Sequence, residues 1–185
     1  MQRVFFTWKP EKNMQLELLE EWVENKFGVS LPDDFLGFIS SNGVGSSPIP
    51  GRFSGKIGMD HLIIEEFYWL SPVEDTYSIQ YKTENAIDEG WMSDDLIMFA
   101  RGGSGHLCFI LAVKGPHRGK VFAFVDSGVY LEGDQIRLEN GALHLADTFS
   151  EFIDGLYADE VNIENWEDSM GYLPNEIKEK FGFGS

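Results

Sequence analysis

The sequence predicts an α+β fold in which helices flank a central antiparallel sheet. Three short apolar runs, residues 96–100, 106–113 and 121–125, are rich in Val, Ile and Phe and are separated by two glycine-containing turn signals. Runs of this length and composition are typical of strands. Because amphipathic helical patterns lie before and after these runs, the chain supplies both a sheet and its cover.

The run at residues 106–113 is the predicted centre of the sheet. Leu107, Phe109 and Leu111 would point to one face of this strand, and Cys108 would point to the other together with further apolar residues. A strand that is apolar on both faces is usually covered on both, which predicts a central position.

The first part of the chain predicts an arm and two helices. Residues 1–13 predict an extended arm or a short edge strand. Residues 15–27 carry an apolar stripe at helical spacing, followed by Gly28, which suits a C-terminal cap. A second helix should begin around Pro32, where the missing N–H costs nothing and two following carboxylates meet the helix dipole, and should stop at Asn42.

The middle of the chain predicts a loop, a strand and a third helix. Residues 44–59 are rich in Gly, Ser and Pro and predict a surface loop. Residues 62–70 predict one strand or a pair of short strands, and residues 76–89 predict a helix of weaker periodicity.

After the central runs, residues 129–131 are expected to continue the sheet. Residues 136–145 are ambiguous, with a good hairpin turn at the Asn-Gly pair that begins with Asn140. The last clear helix carries a capping box, in which Thr148 caps the helix and Glu151 reaches back to a free N–H.

We expect one domain over residues 1–157 and an acidic, aromatic C-terminal extension over residues 158–185. A chain of 185 residues is long enough for one moderate core. The extension holds too many large apolar side chains for a disordered tail. It is therefore expected to pack on the domain, on a second subunit or on another partner.

The charge of the chain restricts its partners. With 14 Lys and Arg against 31 Asp and Glu, the net charge is −17. This charge repels nucleic-acid phosphates and anionic membranes, and it favours a basic protein partner through electrostatic steering. The alternative is that the charge only keeps the protein soluble.

Cysteine usage and the N-terminus predict a cytoplasmic protein. Cys108 is the only cysteine, so no disulfide forms within the chain. Its place in an apolar strand predicts a buried small hydrophobic residue and not a nucleophile. The apolar run near the N-terminus is too short for a signal peptide or a membrane span.

No motif predicts catalysis, a cofactor or a metal site. The glycine-rich stretch 101–105 precedes an apolar strand, whereas a phosphate cradle needs a following helix, so a hairpin or bulge turn is the better interpretation. No nucleophile elbow is present. The four histidines lack other ligands at metal-binding spacing: His61, His106, His117 and His144.

The candidate partner-binding residues are acidic pairs and one aromatic anchor. Carboxylates can cover the cationic surface of a basic partner and speed its association. For any one pair, a solvated rim is the simpler interpretation, and acid–base chemistry or divalent-ion binding is a further alternative. The predicted residues are Glu65, Glu66, Glu74, Asp75, Asp94, Asp95, Asp159, Glu160 and Trp166.

Five segments, in order, resemble the SMI1/KNR4 family, also called the SUKH superfamily. They are the helix end at 26–29, the Leu-Pro-Asp-Asp-Phe start at 31–35, the strand and glycine turn at 96–105, the strand at 119–126 and the closing helix at 145–153. The resemblance implies an α+β domain with helices around a curved antiparallel sheet. It also implies an immunity protein in bacteria, which neutralises a toxin domain that is often a nuclease, or a regulatory protein of cell-wall synthesis in fungi.

Three functions are open at this point. The first is a non-catalytic immunity protein that binds a basic toxin domain, with no nucleic acid or membrane as partner. The second is a regulatory or scaffold module of the same family that binds a cellular partner. The third is an enzyme or small-ligand binder with a pocket near the glycine turn. A homodimer is compatible with each of them.

Overall fold

A computed structural model gives the architecture of most of the first 158 residues. It describes residues 2–3, 14–42, 45–53, 63–68, 70, 76–90, 92–102, 107–125, 129–132, 135–138 and 143–158. The described helices are α1 (Met14–Phe27), α2 (Asp33–Asn42), α3 (Ile79–Asp88) and α4 (Phe149–Asp154). The described strands are β1 (Gln2–Arg3), β2 (Gly45–Phe53), β3 (Ile63–Phe67), β4 (Leu96–Gly102), β5 (Leu107–Ala112), β6 (Val121–Val125), β7 (Val129–Glu132), β8 (Gln135–Leu138), β9 (Leu143–Ala146) and β10 (Leu156–Ala158).

Eight of these strands form one sheet in the order β1-β10-β2-β3-β4-β5-β6-β9. Every neighbouring pair in it is antiparallel. The predicted α+β class with a central antiparallel sheet is therefore confirmed. The predicted central position of the strand at residues 106–113 is also confirmed, because β5 lies between β4 and β6, and Phe109 and Ile110 on its two faces are buried.

Part of the predicted surface loop is a strand. β2 pairs with β10 on one side and with β3 on the other. Between Ser46 and Gly51 the register with β3 shifts, and Pro48 and Pro50 stand in that interval. Proline cannot donate to a ladder, so it occurs in sheets mainly at irregular positions. The loop prediction was therefore wrong for Gly45–Phe53, which joins the sheet on either side of a proline-containing irregularity.

The segment after β6 does not continue the main sheet. β7 pairs with β8 in a separate two-stranded sheet, so the prediction for residues 129–131 was wrong. Residues 136–145, left ambiguous by the sequence, contribute β8 and then β9, which pairs with β6. The predicted hairpin between them is not formed by these two strands, and the turn at Asn140 lies outside the described residues.

The predicted helix ends are confirmed, with one change in detail. Gly28 follows α1 with φ 69°, the left-handed conformation that glycine adopts readily. The Thr148 hydroxyl accepts a bond of 3.1 Å from the Glu151 N–H, as a capping box requires. The Glu151 carboxylate accepts from the Asp147 N–H at 3.0 Å, one residue earlier than the motif predicts.

Both faces of the central strand are buried, and one face of the sheet packs against α2 and α4. On this face, the Phe99 ring contacts phenylalanine rings from α2, α4 and both flanking strands. These rings, with their centroid distances from Phe99, are Phe35 (6.0 Å), Phe67 (5.7 Å), Phe109 (6.4 Å), Phe149 (5.3 Å) and Phe152 (5.7 Å). Aromatic pairs at such distances stabilise a core beyond the area they bury.

Helix α3 packs against β4. Its buried residues are Ile79, Thr83 and Ala86, and the Thr83 hydroxyl accepts a 3.0 Å hydrogen bond from the backbone N–H of Met98 on β4. Helix α1 adjoins α3, because Trp22 Nε1 donates to Glu84 Oε1 at 2.8 Å. Cys108 is only partly buried, so this cysteine is more exposed than the sequence predicted.

Among the described residues, no helix is long and apolar enough to cross a bilayer. The extension after residue 158 lies outside the described part of the chain. The predicted domain boundary at residue 157 therefore stays a prediction.

Candidate partner-binding surface

Six of the nine predicted binding residues cannot be placed by their side chains. Glu74, Asp75, Asp159, Glu160 and Trp166 lie outside the described residues, and of Glu65 only the backbone is described, within β3. Their role in partner binding stays a prediction.

Glu66 lies inside the fold and has a partner there. The residue is 8% exposed, and its Oε2 atom lies 2.6 Å from Arg101 Nε. Strand register creates this pair, because β3 and β4 place Glu66 directly opposite Arg101. A nearly buried carboxylate needs such a partner, since an unpaired charge in this position would be costly.

Asp94 and Asp95 lie together in the turn immediately before β4 but in different surroundings. The Asp94 carboxylate is largely exposed and lies 3.5 Å from Lys114 Nζ. Asp95 is half-buried, and burial raises the pKa of its carboxyl group above the usual range, although a hydrogen bond from the Ser93 hydroxyl opposes that effect. Of this pair, Asp94 is the more exposed carboxylate.

A second acidic surface, which the sequence analysis did not select, lies on two adjoining helices. Exposed carboxylates follow one side of α1 at spacings of four and three residues, and others lie along α3. We call this set the acidic α1–α3 surface: Glu17, Glu21 and Glu24 on α1, with Asp88 and Glu89 at the C-terminal end of α3, whereas Glu84 on α3 is half-buried and accepts the Trp22 hydrogen bond. The spacing of the α1 acids follows from the sequence of one helix, whereas the position of α1 beside α3 is seen only in the structure, through the Trp22–Glu84 contact.

The charged residues of α3 are placed unfavourably for its helix dipole, with acids at the C-terminal end and a lysine near the N-terminal end. Asp88 is the last residue of the helix and Glu89 is its C-cap, whereas Lys82 is near the start. The C-terminal end of a helix carries partial negative charge, so acids there cost about 0.3–1 kcal/mol each. Glu89 accepts a 3.1 Å hydrogen bond from Asn85 Nδ2, whereas Asp88 is exposed at the last position of the helix. Local rules of this kind are often broken at functional positions.

A cationic and aromatic cluster lies beside the first turn of α3. We call it the Tyr77–Arg101 patch, and it consists of Glu66, Tyr68, Tyr77, Lys82 and Arg101. Arg101 Cζ lies 5.1 Å from the centroid of the Tyr77 ring. Lys82 Nζ lies 5.6 Å from the Tyr77 centroid and 5.9 Å from that of Tyr68. Such cation–π contacts are worth about 0.5–1 kcal/mol at exposed sites.

The local fold fixes this patch. Ser78 caps α3, since its hydroxyl accepts a 3.0 Å bond from the Tyr81 N–H. Tyr77 is therefore held immediately before the helix and stays 45% exposed. Tyr68 is buried, which raises the pKa of its phenol well above the usual range. The Tyr68 ring, over which Lys82 lies, therefore remains neutral.

Two of the four histidines approach the same aromatic ring. The His117 and His144 rings lie 6.3 Å and 5.2 Å from that of Phe122. His144 also lies 3.3 Å from Asp147, and His61 and His106 lie outside the described residues. In the part of the chain that is described, no group of three or more His, Cys, Asp or Glu residues is placed to hold a metal ion.

These features define an α+β domain with an extended antiparallel sheet and charged helical surfaces. The sequence model of the SMI1 / KNR4 family (SUKH-1) matches residues 18–155, which is most of the chain. The protein therefore belongs to the SMI1 / KNR4 family. No curated protein and no solved structure matches the chain.

Proposed function

We propose that this protein is a non-catalytic immunity protein of the bacterial cytoplasm that binds and neutralises a basic toxin domain. Membership of the SMI1 / KNR4 family supports this role. The observation that carries the proposal is the acidic α1–α3 surface, where carboxylates persist at the unfavourable end of α3. A partner that supplies positive charge would convert this local cost into binding energy.

The proposed mechanism is electrostatic capture followed by steric blockade. A net charge of −17 attracts a basic partner over a distance set by the ionic strength. A nuclease carries Lys and Arg to hold phosphates, and carboxylates on the inhibitor can occupy those side chains. Association is therefore expected to be fast at low salt and slower as salt is added.

Co-expression tests the function. We expect the protein to restore growth of cells that produce the toxin domain encoded next to its own gene. Failure to rescue against every neighbouring toxin would contradict the proposal. Purification of a housekeeping protein with the tagged chain would favour the regulatory-module alternative.

A charge substitution tests the surface. Asp88→Lys should slow association with the toxin on the order of tenfold, measured by stopped-flow fluorescence at low salt. The same change should raise the free energy of unfolding by about 0.3–1 kcal/mol, because a cation suits a helix C-terminus. Slower association together with a higher free energy of unfolding would show that the substitution acts on binding and not on folding.

The matched control is Asp33→Lys, an equal charge change at an exposed position on α2. Its association rate should stay within about twofold of the wild-type rate, because this substitution changes the net charge of the protein but not the acidic α1–α3 surface. Equal effects of the two variants would show that overall charge acts, and not the acidic α1–α3 surface.

A further inference from the structure

The Tyr77–Arg101 patch differs in chemistry from the rest of this acidic protein. It combines two cations, Lys82 and Arg101, with one carboxylate, Glu66, and with two aromatic rings, giving a local charge of about +1 at neutral pH. Tyr and Arg are among the residue types enriched at binding hot spots. The patch is also reachable, because the Tyr77 residue is 45% exposed and the Arg101 side chain 35% exposed.

The Arg101 guanidinium has donors left for a ligand. Within the part of the chain that the structure describes, its hydrogen bond runs from Nε to Glu66 Oε2. That bond uses one edge of the guanidinium and leaves the edge formed by the two Nη atoms. This edge matches the two oxygens of a carboxylate, which Arg binds in a bidentate manner.

The neighbouring groups favour an isolated carboxylate over a polyanion. The Tyr77 ring offers an apolar surface beside the guanidinium, and Lys82 adds a second positive charge above the same ring. The net charge of −17 repels a nucleic acid or an anionic membrane as a whole. A single acidic side chain on an otherwise neutral or basic protein is attracted by the local positive charge of the patch. Such a protein is not repelled as a whole by the negative net charge.

We propose that the Tyr77–Arg101 patch binds an acidic side chain of the protein partner, with the carboxylate on the Arg101 Nη atoms and adjacent apolar groups on Tyr77. This inference rests on the proposed function and deepens it by naming the chemistry of one contact. A basic partner would place its cations on the acidic α1–α3 surface and one acid here. Opposite charge preferences at two positions fix the orientation of a complex, because a rotated partner would bring like charges together.

A peptide titration tests the inference without the partner. The probes are acetyl-Ser-Leu-Glu-Leu-Ser-amide and the same peptide with Gln in place of Glu. The readout is the ¹H–¹⁵N spectrum of the full chain, including the Arg101 Nε–H signal and the amides around Ser78. We expect the Glu peptide to shift these signals with a Kd on the order of 1–10 mM. It should bind about tenfold more tightly than the Gln peptide.

Three variants assign the contact. Arg101→Lys keeps a positive charge beside Glu66 but removes the bidentate edge, and Lys82→Gln removes the second cation. Each should weaken binding of the Glu peptide about three- to tenfold. Lys120→Gln is the matched control, because Lys120 pairs with Asp147 elsewhere on the surface, and it should leave the Kd unchanged. Thermal unfolding of each variant confirms that it is folded.

Equal affinity for the Glu and Gln peptides would overturn the inference. So would signal shifts distant from Ser78, or unchanged binding in both Arg101→Lys and Lys82→Gln. Tighter binding of an eight-nucleotide thymidine oligomer than of the Glu peptide would assign the patch to phosphate and also overturn it. If the peptide fails while toxin rescue succeeds, only this inference falls, whereas peptide binding without rescue contradicts only the proposed function.

Discussion

Asp34 shows how one side chain can join two helix starts. Its Oδ1 atom accepts a 2.9 Å bond from the Phe35 N–H in α2, and its Oδ2 atom accepts a 2.9 Å bond from the Ser150 N–H in α4. The first N–H groups of a helix have no partner within it. Asp34 therefore satisfies donors in helices that are far apart along the chain.

Replacing Asp34 by Ala should lower the free energy of unfolding by about 1–2 kcal/mol, since caps of this kind contribute that much. Urea denaturation followed by circular dichroism measures the change. Asp33→Ala is the matched control, because this neighbouring carboxylate is exposed and also lies in the first turn of α2. A loss in the control equal to that in Asp34→Ala would show that helix dipole alone explains the effect.

The half-buried Asp95 predicts a dependence of stability on pH. Burial raises the pKa of this carboxyl group in the folded protein above its usual value of 3.8. The folded state therefore binds the proton more tightly than the unfolded state, so ionised Asp95 costs stability above the raised pKa. As the pH falls through that pKa towards 3.8, this cost should disappear.

Asp95→Asn removes this group from the pH dependence. The free energy of unfolding of the wild type, relative to the variant, should rise as the pH is lowered from neutral towards about 4. Urea unfolding at a series of pH values measures the difference. Asp94→Asn provides the comparison at an exposed neighbouring position, and a parallel pH course for the wild type and Asp95→Asn would contradict the prediction.

At the scale of single residues, features were predictable where they depend on near neighbours in the sequence. The capping box at Thr148 and the glycine after α1 were predictable, because they depend on neighbours within four residues. The Glu66–Arg101 pair joins residues 35 apart. It depends on strand register, which the sequence pattern did not specify, so Glu66 was selected as a surface acid although it lies inside the fold.

At the scale of elements, α3 is attached to the sheet by a polar contact. The register of β4 on β5 shifts between Met98 and Ala100, and the Met98 N–H donates to the buried Thr83 hydroxyl of α3. An irregular strand leaves a backbone group without its ladder partner. Helix α3 supplies the acceptor for the Met98 N–H, the Thr83 hydroxyl, in place of a carbonyl of a neighbouring strand.

Thr83→Val keeps the shape of the side chain and removes this acceptor. Because the Met98 N–H would then be buried without a partner, we expect a loss of about 1–3 kcal/mol in the free energy of unfolding. Thr83→Ser retains the hydroxyl and should recover part of the loss. Chemical denaturation measures both variants, and a Thr83→Val protein as stable as the wild type would contradict this account of the contact.

Elements with an apolar period were predictable, and even the weakly periodic α3 was predicted, whereas β2 was not. The helices α1, α2 and α4 and the strands β4 to β6 follow from their apolar spacing. β2 was missed because glycine, serine and proline dominate it and are typical of loops. Its pairing with β3 and β10 comes from long-range contacts that this composition does not indicate.

At the scale of the whole molecule, Phe99 links most layers of the core. Its ring contacts α2 through Phe35, β3 through Phe67 and α4 through Phe149. Phe99→Ala should lower the free energy of unfolding by about 3–5 kcal/mol, and Phe99→Leu by less, because Leu fills more of the volume. Thermal unfolding by calorimetry should show one transition at a lower temperature for each variant. Retention of the wild-type melting temperature by Phe99→Ala would contradict a central role for this ring.

The candidate surface was only partly predictable at this scale. Net charge and the acidic side of α1 follow directly from the sequence, and they indicated a basic partner. The acidic α1–α3 surface and the Tyr77–Arg101 patch both require segments far apart in the chain to meet. Neither has a local motif, because the first joins two helices and the second joins side chains from a helix, a turn and two strands.

The strand order places Gln2 directly beside Ala158, at one margin of the main sheet. Fluorescent dyes attached at these two positions would therefore be neighbours in the native molecule and would separate when β1 and β10 come apart. Energy transfer between them would give a single-molecule reporter of detachment at this margin. Such a reporter could reveal whether the margin opens before the interior melts, and whether a captured partner keeps it closed.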